Sequence, residues 1–326
     1  MFLAISAILI NITIGNNYGA ADLGVFNQVL AIFLLMSSIF SLGLNNTTIK
    51  KISEKPIDIY KRKIILNSNL FISFFVSIIV LLFGYCFMEK FYFLFSTNDI
   101  GPALKILLLS LPIYNINKIL MSFFVGLRFQ KEFSICRFLR WSTLIILIFV
   151  YSIFIEDIDN IYLSFLLSEL ILFIFIFIKI HSYISTQISF DIIKENLKFG
   201  FKSYVAEIIS FAKDRLDIII VGYFLSESEM GIFTFCYSFA SGILIISSVL
   251  MQNISPIISQ LWHQKKYTLL IDRIHLIRVK VFYIQSLLFI IILIGFNFFI
   301  PIISDLPIRN YLSIFNILLL GFFIFS

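Results

Sequence analysis

The chain has 326 residues, of which 60% are apolar and only 13% charged, with 40 phenylalanines and a net charge of +6. A soluble domain is about a quarter charged, which excludes that class, and the basic residues lie between apolar blocks rather than in an aromatic-laced patch, which excludes a nucleic-acid-binding module. Cys86, Cys136 and Cys236 are lone thiols without a C-x-x-C pair, so buried apolar roles are expected rather than a disulfide framework or a metal site.

Residues 1–14 are apolar but too few to span, and they lack the basic front and cleavage site of a signal peptide. They are expected to be the second part of a first helix in a chain truncated at its ends. A turn at 16–24 leads into a second span, 25–44. The connection 45–63 carries Lys50, Lys51, Lys55, Lys61, Arg62 and Lys63. A third span covers 64–87. The fourth, 103–125, holds Pro112 and a mid-depth polar patch of Asn115, Asn117 and Lys118, and its exit loop carries Arg128, Lys131, Arg137 and Arg140. The fifth runs over 141–155, with Trp141 as an interface anchor. After an acidic turn at 156–160 the sixth, 161–178, contains Glu169.

A connection over 179–202 contains a short amphipathic surface helix at 191–199, with Ile192, Ile193, Leu197 and Phe199 offered to lipid. The seventh span, 203–224, encloses Glu207, Lys213, Asp214, Arg215 and Asp217. Each charge at that depth costs at least ~2.5 kcal/mol by insertion scales. The eighth covers 231–255, a basic connection with a surface helix follows to 280, the ninth covers 281–300, and a tenth begins near 310. His181, His263 and His275 fall in loops on the basic side, where neither metal binding nor proton relay is expected.

The loops after the even-numbered spans hold nineteen Lys and Arg, and those after the odd-numbered spans hold Lys90 and Arg309. The even exits are therefore cytoplasmic. Asp22-Leu23-Gly24-Val25-Phe26 recurs as Glu229-Met230-Gly231-Ile232-Phe233, 207 positions later, and at that offset Ser41, Asn45 and Asn46 fall on Ser248, Gln252 and Asn253. This internal repeat predicts an all-α polytopic membrane protein of two pseudo-symmetric bundles related by an axis along the membrane normal. Residues 1–178 form the first bundle, 179–202 a cytoplasmic linker, and 203–326 an incomplete second bundle, with about ten spans present.

Several of these features resemble the polysaccharide-transporter branch of the multidrug/oligosaccharidyl-lipid/polysaccharide (MOP) flippase superfamily, in particular the bacterial O-antigen repeat-unit flippases of Wzx type. They are Tyr18-Gly-x-x-x-x-Gly24-Val25-Phe26, Lys198-Phe199-Gly200, Asp214-Arg215-x-Asp217-x-x-Ile220-x-Gly222, Glu229-x-Gly231-Ile232-Phe233 and Ile254-Ser255-Pro256. The resemblance implies a MATE-like fold of twelve or more helices. It also implies alternating access that carries an undecaprenyl-diphosphate-linked oligosaccharide from the inner to the outer leaflet of the bacterial plasma membrane. The expected partners are that lipid-linked oligosaccharide, membrane lipids, a polysaccharide polymerase and a chain-length regulator. No cofactor is expected, with H+ or Na+ as candidate coupling ions.

A flippase must offer its diphosphate and sugars a wet, cationic cavity between bundles, for which Lys118, Lys213 and Arg215 are the candidates. The alternative is that they pair structurally with Asp214, Asp217, Glu169 or Glu207. Asn46 and Asn253, with Asn45 and Gln252, are candidate sugar-binding amides or interhelical hydrogen-bonding groups. Asp214, Asp217, Glu207 and Glu169 serve either ion coupling or charge pairing. At about 100° per residue the five charges of the seventh span occupy roughly 200° of its circumference, an arc expected to face the cavity. Two rivals remain. A polytopic polymerase or acyltransferase needs acid–base groups collected at one face, and the short outer loops do not supply them. A cation-coupled drug exporter fits poorly with basic residues inside the spans. The topology is tested by single-cysteine labelling with an impermeant reagent in intact cells: Ser226→Cys is expected to react and Ser53→Cys to stay protected, the reverse pattern inverting the orientation.

Overall fold

The computed structural model describes residues 2–54, 58–87, 100–155, 158–185, 187–244 and 267–325. Helices account for nearly all of it, as expected for a backbone that must satisfy its own hydrogen bonds in hydrocarbon. In order they are α1 (Phe2–Tyr18), α2 (Ala20–Phe40), α3 (Leu44–Ser53), α4 (Ile59–Phe87), α5 (Ile100–Leu108), α6 (Leu111–Gly126), α7 (Gln130–Phe154), α8 (Leu163–Ile180), α9 (Phe190–Phe224) and α10 (Glu227–Ala240), followed by the helices Tyr267–Ile294 and Leu312–Phe325. Five helical stretches among the described residues are long and apolar enough to cross a membrane, or six if α5 and α6, bent by 51°, make one broken span. Of the ten expected, the eighth, 231–255, lies partly outside the described residues, α1 and Leu312–Phe325 are shorter than this test requires, and α9 carries too many charges for it.

The chain divides into two compact units, 21–230 and 1–20 with 231–326. In the first, Leu44 and Ile52 of α3, Ile65 and Leu66 of α4, Leu120 and Phe123 of α6 and Leu172 and Ile176 of α8 share one apolar cluster. Large apolar side chains on the outer faces remain exposed, among them Ile79, Ile146, Phe154 and Ile178. That pattern suits lipid as the outer solvent. The second unit is aromatic at its centre. Phe296 stacks on Phe315 with ring centroids 3.6 Å apart and meets Phe239 edge-on, while Asn16 ties the end of α1 to Ile303 O and Asp305 N.

Four boundaries differ from the sequence expectation. The second span ends at Phe40, because Leu42 and Gly43 take positive φ and turn the chain into α3, so Asn45 and Asn46 sit on a new helix instead of a cytoplasmic loop. The supposed exit loop of the fourth span is the front of α7, which carries Arg137 and Arg140 inside a helix. The surface helix expected before 280 is the front of the continuous helix Tyr267–Ile294. The supposed linker helix at 191–199 belongs to α9, a single helix of 35 residues capped by Ser189 Oγ, which accepts from Ile192 N. At 1.5 Å per residue it is about 50 Å long, more than a bilayer core requires. Its front is packed rather than laid on lipid: Asn196 is buried and donates to Asn69 Oδ1 at 2.8 Å, and Ile192 and Leu197 lie against the apolar cluster. Cys136 and Cys236 are buried as expected, but Cys86 is exposed.

The Lys198-Phe199-Gly200 motif acquires a steric meaning here. A Cβ on Gly200 would lie 2.5 Å from Leu42 O, and one on Gly43 would lie 2.3 Å from Gly200 O. Backbone therefore touches backbone where the α2–α3 elbow crosses α9, and the Lys50 ammonium lies 3.8 Å over the Phe199 ring beside it. Lys51 pairs with Glu195, holding that carboxyl below its usual range through its hydrogen bond and charge. Gly200→Ala is expected to cost about 1–3 kcal/mol by overpacking, while Gly321→Ala, with open space around it, is neutral or mildly stabilising. Thermal unfolding in detergent measures both, and equal midpoints would remove the crossing from the account.

Candidate functional site

Among the described residues, two ion pairs lie inside the bundle of the unit 21–230, both organised by consecutive residues of α6. Asn117 and Lys118 point about 100° apart on a helix, so they address different neighbours. On one side, Asn117 Nδ2 donates to both the backbone oxygen and Oε2 of Glu169 in α8, each at 2.8 Å. Arg140 of α7 completes that cluster, its Nε 2.7 Å from Glu169 Oε1 and its Nη2 donating to Oε2 at 2.9 Å. Tyr114 lies beneath, with the guanidinium carbon 4.7 Å from its ring centre. The Arg140 and Glu169 side chains are 13% and 4% exposed, and although Asn117 Oδ1 and Arg140 Nε are buried without a hydrogen-bond partner, the Glu169 carboxylate itself is held by short contacts.

On the other side, Lys118 Nζ lies 3.0 Å from Glu207 Oε1 of α9. The remaining contacts of Glu207 are long: Asn45 Nδ2 at 3.4 Å and Ser41 Oγ at 3.5 Å. The Lys118 and Glu207 side chains keep 19% and 15% exposure, and Asn45 Oδ1 is buried without a partner. This second pair is loosely held, with acceptor capacity to spare. A neutral network supports both: Asn115 accepts from Ser37 Oγ at 2.7 Å and donates to Ser77 Oγ at 2.9 Å, and Asn69 donates to Thr48 Oγ1 at 2.9 Å.

The sequence-derived candidates are thus partly gathered. Lys118, Glu207 and Asn45 meet, whereas Glu169 belongs to the other cluster, and Asn46 is half-buried beside the site. Arg215 and Asp217 are half-buried on α9, and among the described residues Arg215 has no ion-pair partner. Asp217 Oδ1 accepts from Ile218 N at 2.8 Å. The side chains of Lys213 and Asp214, and all of Asn253, lie outside the described residues. Arg140 is the site residue that sequence reasoning misses, because hydropathy places it in a loop. Its signal is present all the same: a Glu at mid-span in 161–178 demands a cation from a neighbouring span, and Arg140 stands at the edge of one. Ser226 and Glu229 form a capping box at α10, Ser226 N and Oγ donating to Glu229 Oε2 at 3.1 and 2.7 Å, which keeps the Glu229 carboxyl below its usual range. The acidic residue of the repeat is therefore a helix start in this copy. Leu23, Gly24, Val25 and Phe26 of the first copy and Met230, Gly231 and Ile232 of the second are all buried, while the exit residues of the second copy lie outside the described residues.

Residues 1–262 match the family described as polysaccharide biosynthesis protein. The chain belongs to this family. No curated protein matches the sequence. Among solved structures, this polysaccharide biosynthesis protein is similar to the inward-facing conformation of a multidrug resistance MATE family transporter of the MOP superfamily, with a TM-score of 0.71 and 14% identity over 98% of this chain and 78% of that one. The outward-facing conformation of a MATE family transporter matches with a TM-score of 0.61 and 14% identity over 98% and 73%. The MATE multidrug transporter DinF-BH gives 0.61 and 14% over 99% and 76%. Identity this low establishes the fold alone: an all-α polytopic membrane protein of MATE-like architecture. Family and fold together make the chain a multi-pass membrane protein of the polysaccharide biosynthesis family with a MATE-like fold.

The closed pair sets a stability test. Arg140→Ala leaves Glu169 uncompensated and is expected to cost about 3–5 kcal/mol, whereas Arg140→Met with Glu169→Leu should recover most of that loss. Thermal melts in detergent read it, and a double variant no more stable than Arg140→Ala would show that the pair is not what the bundle depends on.

Proposed function

We propose that this protein is a transporter that moves an undecaprenyl-diphosphate-linked oligosaccharide repeat unit from the inner to the outer leaflet of the bacterial plasma membrane, for O-antigen, capsule or exopolysaccharide synthesis. The carrying observation is the loosely held Lys118–Glu207 pair in a polysaccharide biosynthesis family member. A diphosphate supplies several strong acceptor oxygens, and an ammonium binds phosphate through charge-assisted hydrogen bonds stronger than neutral ones. Lys118 exchanges its carboxylate for the diphosphate, with Arg215 and Lys213 adding positive charge from α9 and Asp214 and Asp217 holding those two in place. Asn45, Asn46 and Asn253 offer amides to sugar hydroxyls.

Once Lys118 turns to phosphate, Glu207 is left as a buried carboxylate without a counter-charge, a state that costs several kcal/mol. A proton or Na+ taken up by Glu207 removes that cost, which couples release of the pair to an ion. Glu169, fixed by Arg140 and Asn117, keeps α6, α7 and α8 together while this happens. The polymerase and chain-length regulator that consume the flipped repeat unit are the corresponding partners.

Complementation of a deletion strain with the full-length protein tests this. Lys118→Ala should lower surface polysaccharide about tenfold or more, as loss of a hydrogen bond to a charged group worth about 1.5–3 kcal/mol implies. Protein abundance should be unchanged, the lipid-linked repeat unit should accumulate at the cytoplasmic face, and Lys118→Arg should retain part of the export. Normal polysaccharide from a stable Lys118→Ala/Arg215→Ala double variant would overturn the assignment.

A further inference from the structure

A second site lies on the same unit, away from the ion pairs. Leu70, Phe71 and Phe74 of α4, Leu120 of α6 and Phe173 and Phe177 of α8 line a groove of about 320 Å³. This is at the low end of ligand-pocket volumes, about 300–1,000 Å³. Phe71, Phe74 and Phe177 are 38%, 44% and 44% exposed, so the groove opens outward along its length. One end is polar and sealed by hydrogen bonds: Asn67 Nδ2 donates to Tyr183 O at 3.1 Å and to Ser185 Oγ at 3.3 Å, and Asn67 Oδ1 accepts from Ser185 N at 3.1 Å.

Just beyond that end are two basic groups. Lys63, Asn67, Phe71 and Phe74 follow one another at three or four positions along α4, and Phe173, Phe177 and His181 do the same along α8 and the turn after it. Residues at such spacing share a helix face, so one apolar rail of the groove ends in the Lys63 ammonium and the other in the His181 ring, whose Nδ1 donates to Ile178 O at 3.0 Å. Among the described residues neither Lys63 nor His181 has an acidic partner, and the segment 179–190 contains no Asp or Glu. The Lys and Arg distribution puts this end on the cytoplasmic side, the leaflet surface where anionic lipids concentrate.

We infer that this groove binds an anionic phospholipid of the cytoplasmic leaflet, its acyl chain lying along Phe71, Phe74, Phe173 and Phe177 and its phosphate at Lys63 and His181. An apolar groove alone accepts any chain. The selectivity comes from the Lys63 ammonium at that end, where a phosphodiester with an anionic or neutral headgroup is favoured over one carrying its own ammonium. The inference stands apart from the transported substrate, because none of these residues belongs to the Lys118 cluster.

The test uses the full-length protein in vesicles, with Trp141 and Trp262 changed to Phe and Phe71→Trp as the reporter. Phosphatidylglycerol with brominated chains should quench this tryptophan at about fivefold lower mole fraction than brominated phosphatidylcholine, the factor expected of one basic residue near the surface. Lys63→Ala/His181→Ala should abolish the difference, and Lys118→Ala should leave it intact, which separates this site from the transport reading. Should the reporter variant fail to fold, native mass spectrometry of the unaltered protein reads the same preference as retained phosphatidylglycerol over phosphatidylcholine. Equal quenching or retention of the two lipids overturns the inference. So does displacement of the brominated lipid by undecaprenyl phosphate but not by phosphatidylglycerol, which would give the groove to the carrier's tail.

Discussion

Everything in the unit 21–230 answers to the cost of placing carboxylates inside an apolar bundle. Glu169 and Glu207 sit on different helices, and each must find a cation without leaving hydrocarbon. Helix α6 solves both problems with neighbouring side chains. Asn117 fixes Glu169 so that Arg140 can close on it, and Lys118 reaches Glu207 on the adjoining face. Three helices, α7, α8 and α9, are thereby tied to α6, and the bend before α6, where Ser110 Oγ donates to Leu107 O at 2.6 Å, sets the direction in which that helix presents the pair.

The two ion pairs are chemically similar but built for different ends. The Glu169 cluster has short contacts, a planar guanidinium on an aromatic face and a carboxylate almost without exposure. The Glu207 cluster has one good contact and two long ones. A site that must exchange ligands is served by the second arrangement, since only weak contacts have to be broken, whereas a joint that must persist is served by the first.

Much of this is legible in the sequence. Apolar block length locates the helices, the acidic-Gly-Phe repeat marks the starts of α2 and α10, and the intramembrane charges point to α6, α8 and α9. The errors share one origin. Hydropathy reports where a helix can lie in lipid and is blind to where it begins, so it cuts short α7 and α9, whose fronts are polar and packed against protein, and leaves Arg140 in a loop. The elbow at Leu42 and Gly43 escapes sequence reasoning because it is dictated by a contact with a residue over 150 positions away, and no local pattern records that.

Helix α9 meets α2 at two glycines. Gly200 abuts the elbow at Leu42 and Gly43, and near the other end a Cβ on Gly222 would lie 2.6 Å from Gln28 Nε2. The two seats are 22 residues apart, about 33 Å along the axis, close to the thickness of the hydrocarbon core. The Gly200 seat meets backbone and admits no side chain, whereas the Gly222 seat meets the movable end of the Gln28 side chain, so the register of the stretch between them is set firmly at one end and more softly at the other. One inserted or deleted residue would turn one seat by about 100° relative to the other, forcing a side chain into backbone at the first or displacing the Gln28 amide at the second. Apart from the charged residues of the site, the stretch between Gly200 and Gly222 is thus constrained more in length than in composition, and related chains diverging beyond recognisable identity should still conserve the interval between these two glycines.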